Sequence, residues 1–267
     1  MEFIAAVCPQ CAGNLQVPDD RDTIKCMYCG TDIIIKDASD SKHKKLKNLA
    51  TLAQSALNSS NYAESYKYFT EILELKINDS DAWYGKGLSA GYLSTNGSYR
   101  CRDLIDAFEM AIKYSKNEEV EVIKKKCYDS MFEIGKTLVA SNKSYAGQFA
   151  KVSGTAATYI NNQCLVIEML MKACEYCPEN STIQRYIASY CHTDPSIVMD
   201  MAFSGNVCNN EDQKNYIKNS VTECTSIIKK IDPNFRSSAQ ADSIAVSIGV
   251  LIGLAIAVFI LYKIVTN

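Results

Sequence analysis

The sequence predicts a mainly α-helical protein with a small β unit at its N-terminus and a single membrane-spanning helix at its C-terminus. Three observations predict it. Two Cys-x-x-Cys pairs, Cys8/Cys11 and Cys26/Cys29, stand within the first forty residues. From about residue 45 to 230, apolar residues recur with helical period. Residues 243 to 262 form an apolar run with no charge between Asp242 and Lys263.

The cysteine pairs come first in the chain. Each Cys-x-x-Cys can form a tight knuckle offering two thiolates to one metal. Four thiolates close a tetrahedral structural site with no open position for chemistry. Gly30 after the second knuckle, and Ala12-Gly13 after the first, let the backbone turn beneath the sulfurs. The segments NLQVP, TIKC and TDIIIK read as short strands. The expectation is a zinc ribbon with one structural Zn2+ on Cys8, Cys11, Cys26 and Cys29. The other eight of the 12 cysteines are scattered through helical segments, where they read as small buried apolar residues. A reducing compartment suits both sets.

Residues 5 to 36, with their CPxC and CxYCG knuckles, resemble the N-terminal zinc ribbon of the transcription-factor-IIB type, found in many bacterial proteins. The resemblance implies nucleic-acid binding, but the charge opposes it. Residues 1 to 40 carry seven acids (Glu2, Asp19, Asp20, Asp22, Asp32, Asp37, Asp40) against three bases (Arg21, Lys25, Lys36). A four-thiolate zinc centre adds a formal −2 of its own. Phosphate binding needs a basic footprint, so nucleic acid is not the expected partner. The short basic run SKHKKLK at 41 to 47 reads as a solvated helix start or a contact with anionic surfaces.

The helical body follows. Leu49, Leu52, Ala53 and Ala56 mark the apolar face of one helix. After the turn Asn58-Ser59-Ser60-Asn61, the residues Tyr62, Ser65, Phe69, Ile72 and Leu73 mark that of a second. Thirty-four residues beyond Leu49 stands Trp83, and thirty-four beyond Ala53 stands Gly87. This register resembles a tetratricopeptide repeat. The second repeat closes on Phe108, Ala111 and Ile112, five residues late, and the turn STNGSYRC absorbs the insertion. The chain departs from the family pattern at Ile77 (Pro preferred), Ser65 (Ala preferred) and Lys86 (Leu preferred). The resemblance implies a concave face lined by first helices. Carried over position by position, its groove residues are Lys47, Ala50, Gln54, Asp81, Tyr84, Leu88 and Tyr92. Chaperone-binding members need Lys and Asn where Ala50 and Gln54 stand, so the groove is expected to be apolar or aromatic-lined instead. Packing is the alternative role for these residues.

Beyond residue 117 the repeat pattern decays into longer helices over 118 to 141 and 145 to 177, and a last amphipathic helix over 211 to 231. Cys174 and Cys177 form a further Cys-x-x-Cys, but within a helix and without a knuckle glycine, so they are not expected to bind metal. No Walker loop, HExxH or GxSxG is present, and no enzyme is expected.

Twelve of the twenty residues in the C-terminal run are Ile, Val, Leu or Phe. At about 1.5 Å per residue a helix of that length spans the hydrocarbon core of a bilayer. The start of the chain has no basic n-region, so no signal peptide is expected. Lys229, Lys230 and Arg236 precede the run and only Lys263 follows it, which orients the N-terminal portion to the cytoplasm. The family resemblance implies a bacterial inner membrane. Within the run, Ala245, Gly249, Gly253 and Ala257 recur every four residues, a face suited to helix self-association and a homodimer. The alternative is that small residues are common in membrane helices.

The expected architecture is therefore a zinc ribbon (1–37), a basic linker (38–47), a tetratricopeptide-like repeat pair (48–116) and a helical extension (117–231). A juxtamembrane linker (232–242), a transmembrane helix (243–262) and a short tail (263–267) complete it. The expected function is a membrane-tethered cytoplasmic adaptor that binds a protein partner through ribbon and repeats. The alternatives are a zinc-ribbon regulator associated with nucleic acid, and a zinc or redox sensor.

Overall fold

A computed structural model describes residues 3–18, 22–192 and 195–236. The chain opens with two β-hairpins. Strand β1 (Phe3–Val7) pairs antiparallel with β2 (Asn14–Pro18), in a register that sets Ala6 opposite Leu15 and Val7 opposite Asn14. Strand β3 (Thr23–Lys25) pairs with β4 (Asp32–Ile34). Side chains alternate across a strand. Ala6 and Cys8 thus join Leu15, Val17, Cys26 and Ile33 in a small ribbon core. Val7, on the opposite face of β1, is buried among helical residues instead.

Helix α1 (Ile35–Asn58) continues directly from β4, so residues 38–47 lie within it. It is followed by α2 (Tyr62–Leu75), α3 (Ser80–Tyr92) and α4 (Cys101–Tyr114), each packed on the one before. The turns are set by polar caps. Asn61 accepts from Glu64 N–H and donates to the Glu64 carboxylate, while Asp79 accepts from Ala82 N–H at 3.0 Å. Leu49, Ala53, Phe69, Ile72, Leu73, Leu75 and Ala82 form the core of this unit together with Val7. Leu52, expected on the buried face of α1, is 48% exposed.

The three departures from the repeat pattern each find a local partner. Ser65 is buried, donates to the Ala53 carbonyl at 3.2 Å and lies 2.9 Å from the Ser89 hydroxyl. Lys86 sits over the Tyr66 and Trp83 rings, 5.2 Å from each centroid. Ile77 is exposed, and its carbonyl accepts from Trp83 Nε1 at 2.7 Å. Gly85 and Gly87 let α3 approach its neighbours closely. A Cβ at Gly85 would meet the Phe69 ring, and one at Gly87 would stand 2.6 Å from Phe108.

Helix α5 (Val120–Gln148) contains the division of the described residues into two compact units, one up to Ser130 and one from Met131 onward. The second unit holds α6 (Thr155–Tyr176), α7 (Thr182–Tyr190), α8 (Pro195–Phe203) and α9 (Glu211–Ile231). Its interior includes a buried amide network. Asn142 donates to the Tyr159 carbonyl at 3.0 Å and to Gln163 Oε1 at 3.2 Å, and Gln163 donates to the Cys191 carbonyl at 2.8 Å.

Two expectations are corrected here. Among the described residues no helix is long and apolar enough to cross a membrane. The long helices carry charge at intervals: Lys124, Lys125 and Lys126 in α5, and Glu168, Lys172 and Glu175 in α6. The fold class is therefore mainly helical with small N-terminal β-hairpins, and the single C-terminal transmembrane helix is withdrawn from it. The localisation is corrected with it: a single-pass protein with a cytoplasmic N-terminal portion at a bacterial inner membrane is not supported. The run 243–262, with Ala245, Gly249, Gly253 and Ala257, lies outside the described residues.

Candidate metal centre and groove

The hairpin turns bring Cys8, Cys11, Cys26 and Cys29 together, their Sγ atoms all within 4.8 Å of one another. The two knuckles share one hydrogen-bond scheme. Cys8 N–H donates to the Gly13 carbonyl at 2.9 Å, and Ala12 N–H donates back to the Cys8 carbonyl at 2.9 Å. Cys26 N–H donates to the Thr31 carbonyl at 2.8 Å, and Gly30 N–H donates to the Cys26 carbonyl at 2.9 Å. Each turn needs a left-handed residue at the same place: Ala12 has φ 57° and Gly30 has φ 74°. Tyr28 N–H points at Cys26 Sγ from 3.4 Å, a donor suited to a thiolate. The Tyr28 ring lies over Gly13, where a Cβ would come within 2.7 Å of it.

The sulfur spacing tests the fit to zinc. Four sulfurs bound tetrahedrally at about 2.3 Å stand about 3.8 Å apart. Cys8 Sγ lies 3.8 Å from Cys29 Sγ, and Cys11 Sγ lies 3.8 Å from Cys26 Sγ. Four soft sulfur donors, two pairs of them at the tetrahedral edge length and all within 4.8 Å, suit a metal ion such as Zn2+. Such a site is closed, so an ion held there would be structural.

The thiols are unequal. Hydrogen bonding to Thr31, through its hydroxyl first and its backbone second, lowers the Cys29 thiol to about 6. For Cys11 the Gly13 backbone lowers the value, yet desolvation and the neighbouring thiols raise it to about 12. A divalent cation removes this competition by favouring all four thiolates at once. Burial pushes Cys127, Cys174, Cys191 and Cys224 up to about 12 as well, and these thiols are inert by comparison. Among the described residues Cys174, Cys177 and Cys191 belong to no metal-holding cluster.

The ribbon is tied to α1. Lys45 Nζ donates to Asn14 Oδ1 at 3.0 Å and to the Ala12 carbonyl at 3.4 Å. Next to Lys45 on α1 begins the second candidate site. Lys47, Ala50, Gln54, Asp81, Tyr84 and Leu88 line one cavity of about 570 Å3, together with Leu46, Leu57, Lys76, Asp79 and Lys126. Tyr92, the seventh position carried over, does not line it; its ring stacks on Tyr62 at 4.7 Å. Tyr84 is half-buried, stacks on Phe108 at 5.2 Å and shares a 2.8 Å hydrogen bond with the Ser130 hydroxyl. Burial raises its phenol above the usual value, so it stays neutral. The groove carries three lysines and two aspartates, of which Lys76 is paired to Asp79 at 2.9 Å. Sequence reasoning missed Lys76 and Lys126. Lys126 comes from α5, beyond the expected repeat pair (48–116), and no motif marks it.

A second cavity, about 510 Å3, lies in the second unit between α6, α8 and α9, with Ile160, Met201, Val207, Ile217 and Val221 on its walls. No motif in the sequence pointed to it.

No family model matches the chain, and no curated protein matches it. Two solved structures are weakly similar to the chain. The MamA RS-1 ArsTM double mutant is 14% identical, with 71% of this chain and 98% of that one covered and a TM-score of 0.28. MamA 41-end from Desulfovibrio magneticus RS-1 is 15% identical, with 70% and 97% covered and a TM-score of 0.28. Likeness at that level carries no argument about fold or function.

Proposed function

We propose that the protein is a non-enzymatic interaction module, in which a helical-repeat groove braced by one structural zinc binds a segment of a protein partner. The observation that carries this reading is the convergence of Lys47, Ala50, Gln54, Asp81, Tyr84 and Leu88 on one cavity. First helices of two successive hairpins supply them, which is how a repeat array presents a ligand surface. The closed sulfur set gives the metal no substrate position. Tyr84 and Leu88 provide apolar area, and beyond the Lys76–Asp79 pair Lys47 and Lys126 outnumber Asp81, leaving the groove net positive by one charge. A partner segment with acidic and apolar residues complements that surface.

Charge reversal tests it. A photo-crosslinker at position 54 of the full chain captures the partner in cells of origin, and Lys47→Glu with Lys126→Glu lowers that capture at least tenfold. Both lysines are exposed, so the helical content is expected to stay unchanged. Capture that persists undiminished in the double variant contradicts the assignment of the groove.

A further inference from the structure

The ribbon and the groove share structural parts. Strand β1 serves two cores. Ala6 and Cys8 face the ribbon interior, while Val7 between them is 1% exposed and packed with Leu49, Ala53 and Phe69 of the helical unit. A metal ligand thus stands next in the chain to a residue of the groove's own core. Lys45 makes a second tie, from α1 to the first knuckle. Leu46, Lys47 and Ala50, the next positions on that helix, are groove wall. A third tie is covalent, since β4 runs into α1 without a break.

The first half of α1 needs such support. Lys42, Lys44, Lys45 and Lys47 crowd one stretch, with like charges at i,i+3 spacing, which opposes an isolated helix. The ribbon in turn is too small to hold its shape without a metal. A zinc tetrathiolate also carries formal charge −2, which attracts the Lys45 ammonium more than neutral thiols do.

We infer that zinc occupancy of the four cysteines controls the groove: metal loading clamps the ribbon onto α1, and metal loss releases the stretch of α1 that forms one groove wall. This rests on the groove being the binding surface, but its consequences can be read without a partner. By linkage, anything that weakens the seat of the ribbon on α1 must also weaken zinc retention.

Hydrogen–deuterium exchange on the full chain, with zinc and after chelation, tests the clamp. Chelation is expected to speed exchange about tenfold or more in residues 3–34 and 41–50, with 155–231 unchanged. Lys45→Met, which removes no ligand and no core residue, is expected to release zinc to a chromophoric chelator about tenfold faster. An exchange change confined to 3–34, or one spread through 155–231, overturns the inference. Wild-type zinc release from Lys45→Met overturns it too. A failed crosslinking experiment at position 54 would leave these readouts unaffected, so the two ideas can fail separately.

Discussion

Cys26→Ser is expected to abolish zinc binding at the proposed centre and to unfold the two hairpins. Cys26 is buried, its sulfur receives the Tyr28 N–H, and it belongs to both the metal set and the ribbon core. Serine keeps the shape of the side chain but replaces a soft thiolate by a neutral hydroxyl, a poor zinc ligand. Three thiolates then remain where four closed the site. The hairpins have six buried side chains to hold them together, two of which are metal ligands. A unit this small depends on its metal for folding, and structural zinc supplies about 10–16 kcal/mol in comparable peptides. Metal analysis of the purified variant, with exchange protection across residues 3–34, checks the result. Cys174→Ser, on the helical pair, is expected to keep the full zinc content.

Gly85→Val destabilises the first unit by about 3 kcal/mol, the upper range for overpacking a core. Gly85 is buried on α3, and any Cβ there collides with the Phe69 ring of α2. Phe69 is itself buried among Leu49, Ile72 and Leu73 and otherwise borders only the groove, so the ring can yield only toward that cavity. Replacing glycine inside a helix ordinarily gains up to about 1 kcal/mol, which offsets part of the cost. Phe69→Ala alone is expected to cost about 3–5 kcal/mol through the cavity it leaves. The double variant should cost clearly less than the sum, because the valine side chain moves into the space the ring vacated. Equilibrium denaturation of the four proteins in the cycle measures this. Strict additivity would show that the close approach of α3 to α2 is not what the glycine serves.

The metal set was legible because its information is local. Two Cys-x-x-Cys pairs with small residues behind them specify both knuckles, and the matching hydrogen bonds at Gly13 and Thr31 follow from that spacing. The 34-residue period places α1 and α3 side chains on corresponding faces, and six of the seven positions carried over from it line one cavity. What joins the two sites was not legible. The segment FIAAVC is apolar throughout, so alternation alone could not show that Val7 belongs to a different core from Ala6 and Cys8. Lys45 read as one cation in a solvated run, and only the folded chain brings it to Asn14. Ser65 and Lys86 counted against the repeat until their partners, Ala53 with Ser89 and Tyr66 with Trp83, were in place. Asn142 and Gln163 carried no mark in the sequence, because apolar periodicity has no signal for a buried amide network. For the run at 243–262 hydropathy suggested a membrane span; the run lies outside the described residues, among which no helix is long and apolar enough to cross a membrane.

The central claim is that Cys8, Cys11, Cys26 and Cys29 form a closed zinc centre that braces the groove. X-ray absorption at the zinc edge of the full chain tests its foundation most directly. The account predicts one zinc per chain with four sulfur neighbours at about 2.3 Å. A protein purified without zinc that gains no exchange protection when zinc is supplied, or a spectrum requiring nitrogen or oxygen neighbours at about 2.0–2.1 Å, would contradict it.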